Sequence, residues 1–149
     1  MSASAFTPAN PDFAARVRDS FARQPFMSYI GARLTALAPG FCEVTADYRH
    51  ELTQQHGFVH GGVLASIADS AAGYAAFSLM PAGSDILTVE FKLNLIRPAL
   101  PPTLRAEGRV ERAGKTLSVC RADVFCTING SQEPCALLQS TLMRLTSAG

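Results

Sequence analysis

The stretch from Val63 to Met80 restricts what this chain can fold into more than any other. Val63, Leu64, Ile67, Ala68, Ala71, Ala72 and Ala75 recur at intervals of three and four, the helical period. Most positions between them are also apolar or small, and a helix apolar nearly all round must be buried. Pro81 and Gly83 stop it. Strand-like sequence flanks it on both sides. Ala32 to Leu37 and Phe41 to Tyr48 read as two strands around a Pro39-Gly40 turn. After the helix, Leu87, Val89, Phe91, Leu93 and Leu95 alternate with Thr88, Glu90, Lys92 and Asn94 until Pro98. Leu104 to Glu111, Thr116 to Thr127 and Cys135 to Leu145 continue the pattern, with turns at Ala113-Gly114 and Asn129-Gly130. Consecutive strands joined by short turns predict antiparallel neighbours, with the helix as the single crossover. The expected class is α+β, a curled antiparallel β-sheet wrapped around a central α-helix. An amphipathic helix from Asp12 to about Arg23, carrying Phe13, Val17 and Phe21, precedes it. We therefore expect residues 1–24 to form an arm and helix, and residues 25–146 the body of a single domain.

Charge narrows the partners. The 13 Lys and Arg nearly balance the 12 Asp and Glu, which argues against holding a nucleic-acid duplex by its phosphates. A ligand with a few phosphates is still allowed. No apolar run approaches the ~20 residues of a membrane span. Met1 to Pro11 shows neither the basic start nor the apolar core of a signal peptide, so a cytoplasmic setting and no membrane partner are expected. Cys42, Cys120, Cys126 and Cys135 form no C-x-x-C pair and read as small buried hydrophobes. His56 and His60 are four apart, but glycines interrupt any helix there and no third ligand stands at a suitable spacing, so no metal is expected. Dinucleotide, phosphate-loop and serine-hydrolase signatures are absent, and we expect no cofactor.

The chemistry concentrates in Gln54-Gln55-His56-Gly57-Phe58-Val59-His60-Gly61-Gly62 and the helix after it. Gly61 and Gly62 sit where loop becomes helix, and the first N–H groups of a helix lack internal partners and carry partial positive charge. Such donors suit a polarised carbonyl or a developing oxyanion, although a tight turn alone would also call for glycine. At ~100° per residue, Gly62, Ser66, Gly73 and Ala76 fall within ~60° of Asp69. Leu64, Ile67, Ala71 and Tyr74 lie on the far side. The carboxylate thus occupies a face of small residues on a helix built for burial. The small neighbours leave room for a ligand or a partner chain, and the structural alternatives are a carboxylate that caps a neighbouring loop or pairs with an arginine. A histidine at the loop-to-helix junction, His60, is expected to fix the loop by hydrogen bonding.

On these residues the segment resembles a known family. His60-Gly61-Gly62-Val63-Leu64-Ala65, with Asp69 further along the helix, is similar to the PaaI-type acyl-CoA thioesterases of the hotdog superfamily over about residues 25 to 146. The resemblance implies the hotdog fold and hydrolysis of aryl- or fatty-acyl-CoA thioesters. It implies Asp69 as general base or nucleophile, Gly61 N–H polarising the thioester carbonyl, and His60 orienting the loop. It also implies Thr88 placing the water, and Gln54 or Gln55 where many members carry asparagine. Gly62 would border the substrate, and the Arg112-Ala113-Gly114-Lys115 turn would meet the CoA nucleotide. A helix apolar almost all round and long strands whose edges need covering predict a homodimer or dimer of dimers, and the likeness implies sites shared between subunits. A non-catalytic acyl-CoA or fatty-acyl binding module using the same groove is the competing function, and a hotdog hydratase is weaker because no dehydratase-type histidine lies on the helix.

Overall fold

A computed structural model describes residues 6–146. Helices α1 (Phe13–Ala22) and α2 (Pro25–Tyr29) lead into strands β1 (Ala32–Ala38) and β2 (Phe41–Asp47). A short 3-10 turn, His50–Leu52, precedes the long helix α3 (Gly61–Phe77). Strands β3 (Ser84–Leu95), β4 (Thr103–Ala113), β5 (Leu117–Ile128) and β6 (Ser131–Thr146) complete the chain. Helix α2 is an addition to the sequence reading. Its five residues are too few for periodicity to show, and Pro25 at its first position is the only local signal.

All six strands form one antiparallel sheet in the order β1-β2-β4-β5-β6-β3. It curls around α3, the hotdog arrangement. Ile67, Ala68, Ala71, Ala72 and Ala75 have no exposed surface at all. Gly108 shows how closely the sheet approaches: a Cβ there would lie 2.2 Å from the carbonyl carbon and oxygen of Ala71 and 2.5 Å from the Ala72 nitrogen. Only glycine lets β4 run against the helix backbone. Arg16 of α1 closes the other end of α3. Its guanidinium donates to the carbonyls of Phe77, Met80 and Pro81 at 2.9, 2.7 and 2.6 Å and stacks 4.2 Å from the centre of the Phe77 ring. The Phe77 and Pro81 carbonyls also accept from the Met80 and Ser84 N–H groups at 3.1 and 3.3 Å. Arg16 thus reinforces the turn after the helix, where Pro81 keeps the apolar pattern from continuing as helix.

Two expectations about β3 need correction. First, β3 is not beside β4. It lies at the far edge, paired with β6, so α3 is not the only crossover. Residues 96–102 recross the sheet and are fastened along the way. Ile96 and Arg97 donate to the Cys135 carbonyl of β6, Val59 donates to Ala99, and Tyr48 donates to Pro102. Second, the alternation does not run unbroken. The β3–β6 register shifts between Thr88 and Glu90, a bulge that adds one residue and reverses the facing of the residues beyond it. Ile86 and Leu93 both pack on the core although their positions differ by an odd number, which in an unbroken strand would put them on opposite faces. Thr88, on the Ile86 side of the bulge, therefore faces the helix rather than away from it.

Among the described residues, no further strand pairs with the outer edge of β3. Five of the eight exposed large apolar side chains among the described residues, Leu87, Val89, Phe91, Leu95 and Ile96, cluster on or just after it.

Candidate active site

The loop before α3 is fixed by the histidine at its end. The His60 N–H donates to the Leu52 carbonyl at 2.9 Å, and His60 Nδ1 accepts from the Gly62 N–H at 2.8 Å, capping the helix. That geometry requires Nδ1 to be unprotonated, so the neutral ring carries its proton on Nε2. With Gly62 satisfied, the Gly61 N–H is left without a partner among the described residues. It opens at a cavity of about 420 Å³ lined by Gln54, Phe58, His60, Leu95, Ile96 and Arg97, among others. Gln54 thus reaches this wall, and its Oε1 accepts from the His56 N–H. Gln55 is exposed and faces His56. A Cβ on Gly61 would meet Leu95 Cδ1 at 2.8 Å, the tip of an exposed, movable side chain, so glycine here keeps the N–H approachable rather than the fold intact.

Two turns along α3, Asp69 accepts a hydrogen bond from Thr88 Oγ1 at 2.8 Å. Burial pushes its carboxyl above the ordinary range near 3.8, and the Thr88 hydroxyl pulls part of the way back. Asp69 has no cationic partner among the described residues, which sets aside the ion-pair reading of this carboxylate. Asp69 and Thr88 line a second cavity of about 360 Å³, together with Gly73, Tyr74, Ser20 and Gln24, among others.

Tyr74 corrects the helix arithmetic. Its Cα lies well away from Asp69 around the helix, but the side chain is long enough to bring its hydroxyl to the same cavity. Oη accepts from Gln24 Nε2 at 2.6 Å and lies 3.2 Å from Ser20 Oγ. Nothing local in the sequence announces this group, because Tyr74 lies 50 and 54 positions from Gln24 and Ser20 in the chain.

The two cavities sit at different places along one helix. Eight residues separate Gly61 from Asp69, about 12 Å of axial rise. Arg112, Gly114 and Lys115 are exposed at the β4–β5 turn and line neither cavity. Gly114 has a structural reason, since a Cβ would lie 2.1 Å from the Leu117 carbonyl oxygen. No group of three or more His, Cys, Asp or Glu suited to a metal occurs among the described residues. The four cysteines are buried and unpaired, and burial raises the thiols of Cys42, Cys120 and Cys135 to about 12, which removes them as nucleophiles. Among the described residues, no helix is long and apolar enough to cross a membrane.

A free N–H at a glycine-rich helix start, with a desolvated carboxylate further along the same helix held by a strand hydroxyl, is an arrangement that can polarise a carbonyl and activate water. The family model described as Thioesterase superfamily matches residues 56–131, the span that contains both groups. The chain belongs to the thioesterase superfamily. Among solved structures, it is similar to a thioesterase family protein from Silicibacter pomeroyi, 44% identical, covering 91% of this chain and 99% of that one with a TM-score of 0.89. The Escherichia coli PaaI protein shares the fold at a TM-score of 0.81 and 23% identity, over 92% of this chain and 96% of its own. In sequence, the acyl-coenzyme A thioesterase PaaI of Escherichia coli K12 is 29% identical over 118 residues, 78% of this chain and 79% of that protein. Membership of this hotdog superfamily makes a hydrolase of the thioesterase class the supported activity.

Proposed function

We propose that this protein hydrolyses acyl-CoA thioesters to the free acid and CoA. The observation that carries the reading is the Asp69–Thr88 pair: a carboxylate with no cationic partner among the described residues, its pKa raised by burial, held by one hydroxyl at the wall of a cavity floored by small residues. As general base, Asp69 takes a proton from a water that attacks the thioester carbonyl carbon. The carbonyl oxygen gains the electron pair and is met by the Gly61 N–H. When the tetrahedral intermediate collapses, the carbon–sulfur bond breaks and Asp69 returns the proton to the leaving thiolate. As nucleophile, Asp69 attacks first, expels the thiolate and forms an anhydride that water then cleaves. His60 holds the loop through the Gly62 N–H, Thr88 orients the carboxylate and Gln54 borders the reacting group. Gly62, expected to border the substrate, lines neither cavity. Gln55 is the less suited of the two glutamines.

The 12 Å between Gly61 and Asp69, the helical rise over eight residues, is too long for one carbonyl to touch both in the same chain. We therefore propose a homodimer in which the Gly61 mouth of one copy faces Asp69 of the other, and pairs of dimers as a tetramer. The unpaired edge of β3 and its row of exposed apolar side chains favour such a covering copy. A cytoplasmic setting belongs to the same proposal.

The test is thiol release from a panel of acyl- and aryl-CoA esters, with a single turnover in oxygen-18 water as the second step. Release supports hydrolysis, and label recovered in Asp69 selects the nucleophilic route. Saturable binding of CoA esters without thiol release would instead establish a non-catalytic acyl-CoA binder. We also propose that the Arg112–Lys115 turn meets the CoA phosphates. Arg112→Ala and Lys115→Ala should then raise KM severalfold with kcat nearly unchanged, and leave a short thioester lacking the nucleotide unaffected. Equal effects on both substrates would remove the turn from the site.

A further inference from the structure

The cavity beside Asp69 has an end that thioester hydrolysis does not need. From Asp69 it passes over Gly73, one helical turn on, where the nearest atom to an added Cβ would be Leu142 Cδ1 at 4.0 Å. Glycine leaves this stretch of the floor empty on a helix that is otherwise filled with side chains. Ile86, Leu87 and Leu142 supply the apolar part of the cavity's sides, with Ser70 and Thr88 as neutral polar neighbours. Its end is polar and joins two parts of the chain: Ser20 on α1 and Gln24 just after it, with the hydroxyl of Tyr74 from α3 itself. Tyr74 is only 5% exposed, and its ring is fixed edge-on by Phe21 and Phe77 at 5.6 and 6.2 Å between centres. Its hydroxyl accepts the Gln24 side-chain N–H at 2.6 Å. That bond turns the amide so that Gln24 Oε1, which has no partner among the described residues, is left as an acceptor. Charge does not favour an ionic ligand. Arg23 is engaged by Asp19 at 3.0 Å, and Asp85 lines the same cavity with the opposite sign.

Partly apolar sides, a bare floor and a fixed neutral acceptor at the end describe the shape of a short chain with a hydrogen-bond donor at its tip. We propose that Gln24 determines acyl specificity. It accepts a hydrogen bond from a neutral hydroxyl at the far end of a compact acyl group, and Tyr74 acts as the positioning residue that holds the amide. This rests on the hydrolase reading above and adds the class of acyl group. The bond from Gln24 to Tyr74 also ties the junction of α1 and α2 to α3, so the experiment has to separate recognition from that tie.

The experiment measures kcat/KM for straight-chain acyl-CoA esters of increasing length, each paired with the isostere in which a hydroxyl replaces the terminal methyl. In the wild-type protein the hydroxylated ester of the best-fitting length should be preferred about tenfold, the scale of one neutral hydrogen bond. Gln24→Leu should bring that ratio close to one by slowing the hydroxylated ester alone. No side-chain cap hydrogen bond is lost with it, because Gln24 caps α2 through its backbone only. Tyr74→Phe keeps the ring packing and should lower the ratio severalfold. Gln24→Glu, which keeps an acceptor, should preserve a preference. Equal rates for both members of every pair in the wild type would overturn the proposal and leave the hydrolase reading standing. So would a Gln24→Leu variant that slows both members alike, the result expected of a purely structural tie. No thiol release from any CoA ester would overturn the hydrolase reading itself and this proposal with it.

Discussion

Helix α3 meets two different environments across its width, and two glycines mark them. Toward β4 the helix backbone touches the strand at Gly108, and Ala71, Ala72 and Ala106 around it are fully buried. Toward β3 the same helix presents Asp69 and Gly73 to a cavity, beside a strand whose apolar side chains are half exposed. The first flank is packed until only a hydrogen atom fits. The second is left open where a carboxylate would otherwise be excluded. A single apolar helix thus serves as core on one side and as site on the other, and which role a small residue plays depends on what faces it.

The largest effect expected from breaking that contrast is at Gly108. Gly108→Ala places a methyl group against main-chain atoms that cannot move without displacing the helix. The loss should exceed the roughly 1–3 kcal/mol of ordinary overpacking, measured as a fall in the urea midpoint or as a failure to fold. On the open flank, Thr88→Val keeps the volume and removes the donor to Asp69. Turnover should fall about tenfold, the scale of one hydrogen bond to a charged group. The Thr88 bond holds the Asp69 pKa down, so its loss should also move the acid limb of kcat/KM to higher pH. An unchanged limb with reduced rate would mean that Thr88 acts on something other than the carboxylate. The smallest effect is at Gly73. Gly73→Ala meets nothing closer than 4.0 Å and replaces a mid-helix glycine, so stability should rise by about 0.5–1 kcal/mol. The added methyl enters the cavity and should lower kcat/KM for the bulkier acyl groups. Opposite signs at Gly108 and Gly73 would establish the two flanks, and equal destabilisation would erase the distinction.

Most of the fold was legible because burial writes itself into periodicity. The all-apolar helix and the alternating strands are such signals, and Asp69 stood out by violating one. The strand order was not legible, because a proline-rich connection such as 96–102 reads equally well as a turn between neighbours or as a recrossing. The bulge at β3 was hidden for a related reason. A strict alternation through Leu87, Val89, Phe91, Leu93 and Leu95 carries no mark of the extra residue that turns Thr88 inward. At the site, His60 and Gly61 were readable from glycine spacing at a helix start. Ser20, Gln24 and Tyr74 were not, since their meeting depends on how α1 lies across α3.

The central claim is that the Asp69 carboxylate performs the chemistry at a cost to the fold, and Asp69→Asn tests both halves in one protein. Burial raises the Asp69 pKa above its unfolded value near 3.8. The native state therefore binds the proton more tightly than the unfolded chain, and stability falls as pH rises from 3.8 through the raised value. Removing the charge should make the Asn variant more stable than wild type at neutral pH, with the difference disappearing below pH 3.8. Thiol release from acyl-CoA should fall at least about a hundredfold, the low end of what a positioned base contributes. A well-folded Asn variant that releases thiol at the wild-type rate would contradict the account.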